Sequence, residues 1–375
     1  MESLSSNPIA LDVEGQKVAR NLVRKRWFLV SLLISTWLPI AFFIFIVPSR
    51  GDVSGFAGIK TVFLFLGTAH VPATLFFYLD KNFSGIIKKH PARYIYVPII
   101  LIVITGLVFA FTNTITQAFV LLAYWAWQAF HYGRQNIGIY AFASIAETGT
   151  GPRKEEKLAI DFGTILGILG TFKILGTAVA PAYLHRAFDM FYQIGWIAFF
   201  AVPLFSLFVY IKFFRNTTFL KTCLFFTSVF FFLPVFISTD NNIGFLSYAM
   251  AHGLQYIIFM TVISATATGD PTPSLSYKSI AQLLGLLLVV GFAFWRVNDL
   301  REMEIVKSTW AYARGADFLF GAVLGATMAH FVVDADAWRL SMESRREYIK
   351  KRFRFVFEPQ ITRIDSQIDA DKYLK

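Results

Sequence analysis

Long apolar runs alternate along the chain with short polar breaks, and the lengths of the runs set the first expectation. A helix needs about 20 apolar residues to cross a hydrocarbon layer roughly 30 Å thick, and several runs reach that length with almost no charge. In order they are Trp27 to about Val47, Phe56 to Leu79, Tyr94 to Thr112, Ile115 to Ala143, Leu158 to Ala180, Phe188 to Phe213, Phe219 to Ser238, Ile243 onward, Ile280 to Val297, and Ala313 to Val333. Alternation of β-barrel type is missing. The pattern predicts an all-α, polytopic integral membrane protein of about ten transmembrane helices in one bundle. Residues 1–26 form a polar leading segment, 27–337 the bundle, and 338–375 a basic amphipathic tail. The first run is too long for a signal-peptide core and lacks a small-residue cleavage pattern, so it reads as a retained span.

The breaks orient the spans. Cytoplasmic loops collect Lys and Arg. The leading cluster Lys17, Arg20, Arg24, Lys25 and Arg26, the loop with Lys81, Lys88, Lys89 and Arg93, the loop ETGTGPRKEEK and the turn KFFRNTTFLK all fall on one side of a ten-span arrangement. Both termini are therefore expected in the cytoplasm, with a bacterial inner membrane favoured. One connection disagrees: Arg296, Arg301, Lys307 and Arg314 fall on the expected outer side. The segment TATGDPTPSLS reads as a turn-rich linker, because neither of its prolines can continue a helix.

Four of the spans carry a histidine, and hydrocarbon penalises such side chains unless they face a protein interior, a ligand or water. They are His70, His131, His252 and His330, all on even-numbered spans, which run in the same direction. Residues three, four and seven apart share a helix side. By that rule Tyr124, Gln128, His131 and Gln135 form one stripe flanked by Trp127 and Arg134. Tyr248, His252, Gln255 and Tyr256 form a second. Thr327, His330 and Asp334 form a third, with Asp336 pointing away, and His70 shares its side with Thr74. Pro72 is expected to kink the helix after His70. Outside the stripes, His90 and His185 read as solvated or interfacial, and Lys173 as a residue that snorkels to the surface.

Composition then limits the chemistry. The chain is 375 residues long with 42 Phe against 24 acidic residues, which a soluble surface would not tolerate. Its formal charge of +11 belongs to membrane-facing loops, and no nucleic-acid partner is expected. With Cys223 the single cysteine, there is no internal disulfide, CxxC pair or CxxCH haem attachment. Walker loop, GxGxxG, GxSxG, HExxH and the HxxxH or HxxHH clusters are also missing.

Imidazole is a common ligand for iron, copper, zinc and nickel, and Gln, Asp or Tyr neighbours can fix its tautomer. The four histidines are therefore candidate metal ligands, the metal being iron. Asp334, Gln128, Arg134, Gln135, Gln255 and Tyr256 are candidates for the surrounding chemistry. The function expected is a metal-dependent membrane oxidoreductase acting on a lipid-soluble substrate held by Phe-rich walls. Two other readings use the same residues: a haem held by histidine pairs for electron transfer or haem modification, and a transporter relaying protons or substrate through His131, Arg134, Asp334 and Lys173. In the plainest reading each histidine simply hydrogen-bonds a neighbouring helix. The tail places seven basic residues between Arg339 and Arg354 among Tyr348, Ile349, Phe353, Phe355 and Phe357. It is expected to lie on anionic lipid, or to dock a soluble partner.

Overall fold

The structure, a computed structural model, describes residues 13–46, 57–213, 217–238, 241–266, 276–302 and 310–357. Most of the TATGDPTPSLS linker, Lys307 and the tail beyond Phe357 lie outside the described residues. Within them the chain is helical throughout, with no strand. The helices are α1 (Val13–Ala41), α2 (Ala57–Ala73), α3 (Val97–Phe111), α4 (Thr114–Thr148), α5 (Lys154–Val179), α6 (His185–Phe199), α7 (Ala201–Phe213), α8 (Phe219–Val229), α9 (Asn241–Ala265), α10 (Tyr277–Gly285), α11 (Gly291–Glu302), α12 (Trp310–Ala337) and α13 (Glu343–Arg352).

Six helical stretches among the described residues are long and apolar enough to cross a membrane: Ala19–Ile46, Ala92–Phe111, Ala182–Phe213, Ile243–Ala265, Tyr277–Val297 and Tyr312–Ala337. These coincide with six of the ten expected spans. The other four differ for local reasons. Pro72 cannot donate to the ladder, and the helix carrying His70 stops at Ala73, restarting as the short helix Phe76–Leu79. The run after Phe219 is broken beyond Val229 and resumes at Pro234. Helices α4 and α5 are long enough, at 35 and 26 residues, but more polar. Many outward side chains are apolar, including Ile104 on α3, Leu204 and Ile211 on α7 and Val289 beyond α10, as a hydrocarbon solvent requires.

α12 lies along α3 over the most extensive helix–helix contact in the chain. The approach is close because its side is glycine: a Cβ at Gly325 would sit 2.5 Å from the Leu101 carbonyl oxygen, and one at Gly321 2.5 Å from that of Thr105. Small residues four apart let backbones touch in this way. α9 packs between α1 and α2 and also against α5, while α12 reaches α2 and α4.

The tail returns to the bundle. Tyr348, Ile349, Phe353 and Val356 enter the same apolar core as Phe28, Phe142 and Phe259. Its inner arginines are buried: Arg345 pairs with Asp336 at 2.5 Å, and Arg352 pairs with Asp80 and donates to the Thr266 carbonyl. Tyr348 donates to the same Asp80 at 2.7 Å. Burial, and then the adjacent carboxylate, hold that phenol well above its usual pKa, so it remains a donor. Asp80 follows α2, Thr266 ends α9 and Asp336 ends α12, while Phe353 also meets Phe142 near the end of α4. The four histidine-bearing helices therefore finish on one side, beneath the tail, in the common direction expected of them. Arg346, Lys350, Lys351 and Arg354 remain on the outside of the tail.

Two polar residues differ from expectation. His90 is not merely solvated, since Arg345 Nη1 donates to its Nε2 at 3.0 Å. Lys173 stays within the protein's own polar groups, 3.6 Å from Asp189 and over the Tyr192 ring.

The Asp80 and Arg352 side chains are 2% and 1% exposed, so removing one leaves the other charged without a counter-charge. We predict that Asp80→Ala lowers unfolding stability by about 3–5 kcal/mol, the cost of an uncompensated buried charge. Thermal unfolding in detergent measures this, and trypsin should cut the released tail faster.

Candidate metal centre

Each of the four helices contributes one imidazole to a single buried cluster: His70 from α2, His131 from α4, His252 from α9 and His330 from α12. The rings form a closed circuit. Their centroids are 4.8 Å apart for His70 and His252, 5.1 Å for His252 and His131, 5.2 Å for His131 and His330, and 5.2 Å for His330 and His70. Across the circuit His252 and His330 are 6.4 Å apart. Gly253 makes the first of these approaches possible, because a Cβ there would meet His70 Nδ1 at 3.1 Å and the Gly67 Cα at 3.2 Å.

The hydrogen bonds behind the rings fix the tautomer of His70 and, with Asp334 ionised, that of His330. His70 Nδ1 is 2.5 Å from the Gly67 carbonyl oxygen, which only accepts, so this nitrogen carries the proton and Nε2 keeps its lone pair. His330 is oriented through a chain of hydroxyls. An ionised Asp334 can only accept, so Tyr256 donates to its Oδ1 at 2.8 Å. The Tyr256 oxygen then accepts from Thr74 Oγ1 at 2.8 Å, and Thr74 accepts from His330 Nδ1 at 2.5 Å. The carboxylate thereby orients His330 Nε2, again as a lone pair.

The opposite sides of the rings have no such partners. Nε2 of His70, His131, His252 and His330, and also Nδ1 of His252, are buried without a hydrogen bond. Buried polar atoms are nearly always satisfied, and five exceptions in one place distinguish this cluster from histidines that tie helices together. Asp334 Oδ2 lies beside them, 3.7 Å from His330 Nε2 and 4.0 Å from His131 Nε2.

The ligand atoms of His70, His252 and His330 lie within 4.8 Å of one another, as do those of His131, His330 and Asp334. Ligands opposite one another across an ion are about 4 Å apart, twice a metal–nitrogen bond of roughly 2.0–2.1 Å. Closing either triad onto an ion thus asks for side-chain adjustments well under an ångström for each ligand. His330 belongs to both triads and has one free lone pair, so it serves one ion at a time.

The remaining sequence candidates lie around this centre. Tyr256 and Asp334 are in the relay just described. Gln135 Nε2 donates to the His252 carbonyl at 3.2 Å and to Gln255 Oε1 at 3.0 Å, and Gln255 Nε2 donates to Thr36 Oγ1 at 2.6 Å. This network ties α4, α9 and α1 together behind His252. Gln128 donates to the Tyr132 hydroxyl at 2.6 Å, and the Tyr132 ring faces His252 with centroids 3.9 Å apart. Arg134 turns outward, half-exposed, and pairs with Asp161.

Beside the cluster is a cavity of about 200 Å³ between α4, α9 and α12. Its inner end is His131, Asp334 and Tyr256, its walls include Trp127, Phe130, Phe142, Phe259, Phe331 and Trp338, and Arg134 and Gln135 also line it. Phe331 stacks on the His131 ring at 4.4 Å. Thr36, Gly253, Phe331 and Tyr132 were not singled out from the sequence; the last three each directly follow a membrane histidine, and only Thr36 carried no local signal. Compared with protein-family models, with curated proteins and with solved structures, the chain matches none.

Replacing Thr74 by Val strands both His330 Nδ1 and the Tyr256 hydroxyl's second contact. The expected loss is about 1–3 kcal/mol of stability, the cost of an unsatisfied buried donor, read by thermal unfolding. Thr74→Ser keeps the hydroxyl and should recover most of it.

Proposed function

We propose that the chain is a membrane-embedded metalloprotein, an oxidoreductase whose single iron ion is held by His70, His131, His252 and His330 with Asp334, and whose substrate is a lipid-soluble molecule in the adjoining cavity. The observation that carries this reading is four buried Nε2 atoms without hydrogen-bond partners in one cluster, with His70, His252 and His330 forming one possible ligand triad and His131, His330 and Asp334 another. The donor set is imidazole and carboxylate without sulfur, which suits non-haem iron. Tyr256 and Thr74 hold the outer edges of Asp334 and His330, as partners of ligands do.

The cavity supports the substrate class. Seven aromatic side chains line it, Tyr256 among them, together with the polar groups of His131, Arg134, Gln135 and Asp334. An apolar chain fits such walls and leaves them dry. It also offers no ready leaving group for hydrolysis, whereas a redox metal supplies electron transfer and activation of an oxidant. In this reading the protein's own residues orient the ligands, exclude water and aim the substrate at the metal-facing side of His131 and Asp334. Arg134 and Gln135 position what enters, and Gln128 and Gln255 steady the rings from behind. Haem suits the cluster less well. A porphyrin between His252 and His330 would overlap His70 and His131, each within 5.2 Å of both.

The same reading places both termini in the cytoplasm of a bacterial inner membrane, with Arg346, Lys350, Lys351 and Arg354 on anionic lipid. Reporter fusions at the two ends would test that orientation.

Elemental analysis of protein purified from its native membrane should find about one iron per chain and no haem absorption band. His252→Ala or His330→Ala should abolish metal retention. Tyr256→Phe, which cuts the relay but keeps the packing, should weaken affinity about 10–100-fold. A metal-free wild-type protein, or a haem spectrum, would overturn the proposal.

A further inference from the structure

A second concavity, away from the histidine cluster, lies where the tail meets the ends of α3 and α12. It has a volume of about 420 Å³, and its charged lining is Lys89, Arg93, Arg339 and Arg345, with His90 and a single carboxylate, Asp336. Four cations thus share one acid, leaving an excess of three positive charges. Asp336 has little left to offer: it accepts from Arg93 Nη1 at 3.1 Å, from the Tyr94 hydroxyl at 2.7 Å, and from Arg345 Nε and Nη2 at 3.0 and 2.5 Å. Lys89 and Arg339 have no acidic partner within ion-pair distance among the described residues. Arg345 is 2% exposed, and its Nη1 is occupied by His90 and Ser344.

Like charges gathered in a concavity repel one another and focus a field that attracts an anion. These cations come from four separate places: the short helix Ser84–Lys89, the turn Ala92–Tyr96 before α3, the segment after α12, and α13. A planar carboxylate presents two oxygens in one plane. A phosphate presents oxygens tetrahedrally, carries about −1.5 to −2 charges as a monoester, and matches the forked donors of arginine. We propose that this pocket is a phosphate-binding site. The phosphate is either free in solution or the monoester headgroup of a lipid, since the pocket lies at the end of an apolar helix whose neighbouring Ile95 and Tyr96 are exposed.

The test uses full-length protein in nanodiscs. Inorganic phosphate is titrated by calorimetry in discs of phosphatidylcholine alone, and phosphatidic acid is scored by native mass spectrometry of protein from mixed discs. Lys89→Gln with Arg339→Gln removes two exposed cations that hold no buried ion pair, so folding should be unaffected; unfolding temperature checks this. Lys350→Gln with Lys351→Gln removes the same charge from the outer side of the tail. We expect the first pair to weaken binding by about tenfold or more, the loss typical of one charged contact, and the second pair by less than twofold. Binding of inorganic phosphate alone identifies a soluble ligand, binding of phosphatidic acid alone a headgroup, and binding of both a general phosphate site. If neither probe binds, or if both double variants lose equally, the site does not exist.

Discussion

Four imidazoles with their free nitrogens turned toward one another constitute an arrangement that a protein interior resists. Each buried lone pair has given up water and gained nothing, and such groups are costly when left unmatched. The cluster nevertheless lies at the crossing of α2, α4, α9 and α12, with one ring taken from each. The surrounding structure is organised to hold it: carbonyl and hydroxyl partners fix the outer nitrogens of His70 and His330, and glycine lets α9 approach α2 where His70 and His252 meet. In the proposed metal centre an ion would supply the missing partner for three or more of these nitrogens at once, whereas a hydrogen bond could satisfy only one at a time.

The same constraint accounts for the departures from uniform apolarity. A helix devoted to lipid can be apolar all round, as Ala92–Phe111 nearly is. A helix that serves the cluster must carry polar residues on its inner side. That is why α4, with Gln128, His131, Arg134 and Gln135 on successive turns, is the longest helix described and yet not among the six most apolar stretches. Hydropathy alone therefore passes over α4, while α9 and α12, which also carry site histidines, are among the six.

Much of this was legible from spacing. The i, i+3 and i, i+4 rule put Asp334 with His330, and Thr74 with His70, because those relations are local to one helix. Counting alternate spans predicts a shared direction for the four helices, and their ends do meet the tail together, although six rather than ten of the described stretches are long and apolar enough to cross a membrane. Relations between helices were not legible in the same way. That Thr74 would bond His330 rather than its own helix neighbour, and that Thr36 would close the network begun by Gln135, depends on how far each helix is rotated in the bundle. The tail shows both sides of the matter. Arg345, Tyr348, Ile349, Arg352 and Val356 recur at helical spacing and form one inner side, but nothing local shows that Asp80 and Asp336 wait beneath it. Read alone, that side is indistinguishable from one made for lipid.

The position of those two arginines has a consequence for biogenesis. Asp80 and Asp336 sit at the ends of site helices, and the counter-charges that bury with them lie later in the chain than every site helix. Until α13 is made, these two carboxylates therefore have no tail arginine beside them, and the docking of the tail is the step that completes both buried pairs.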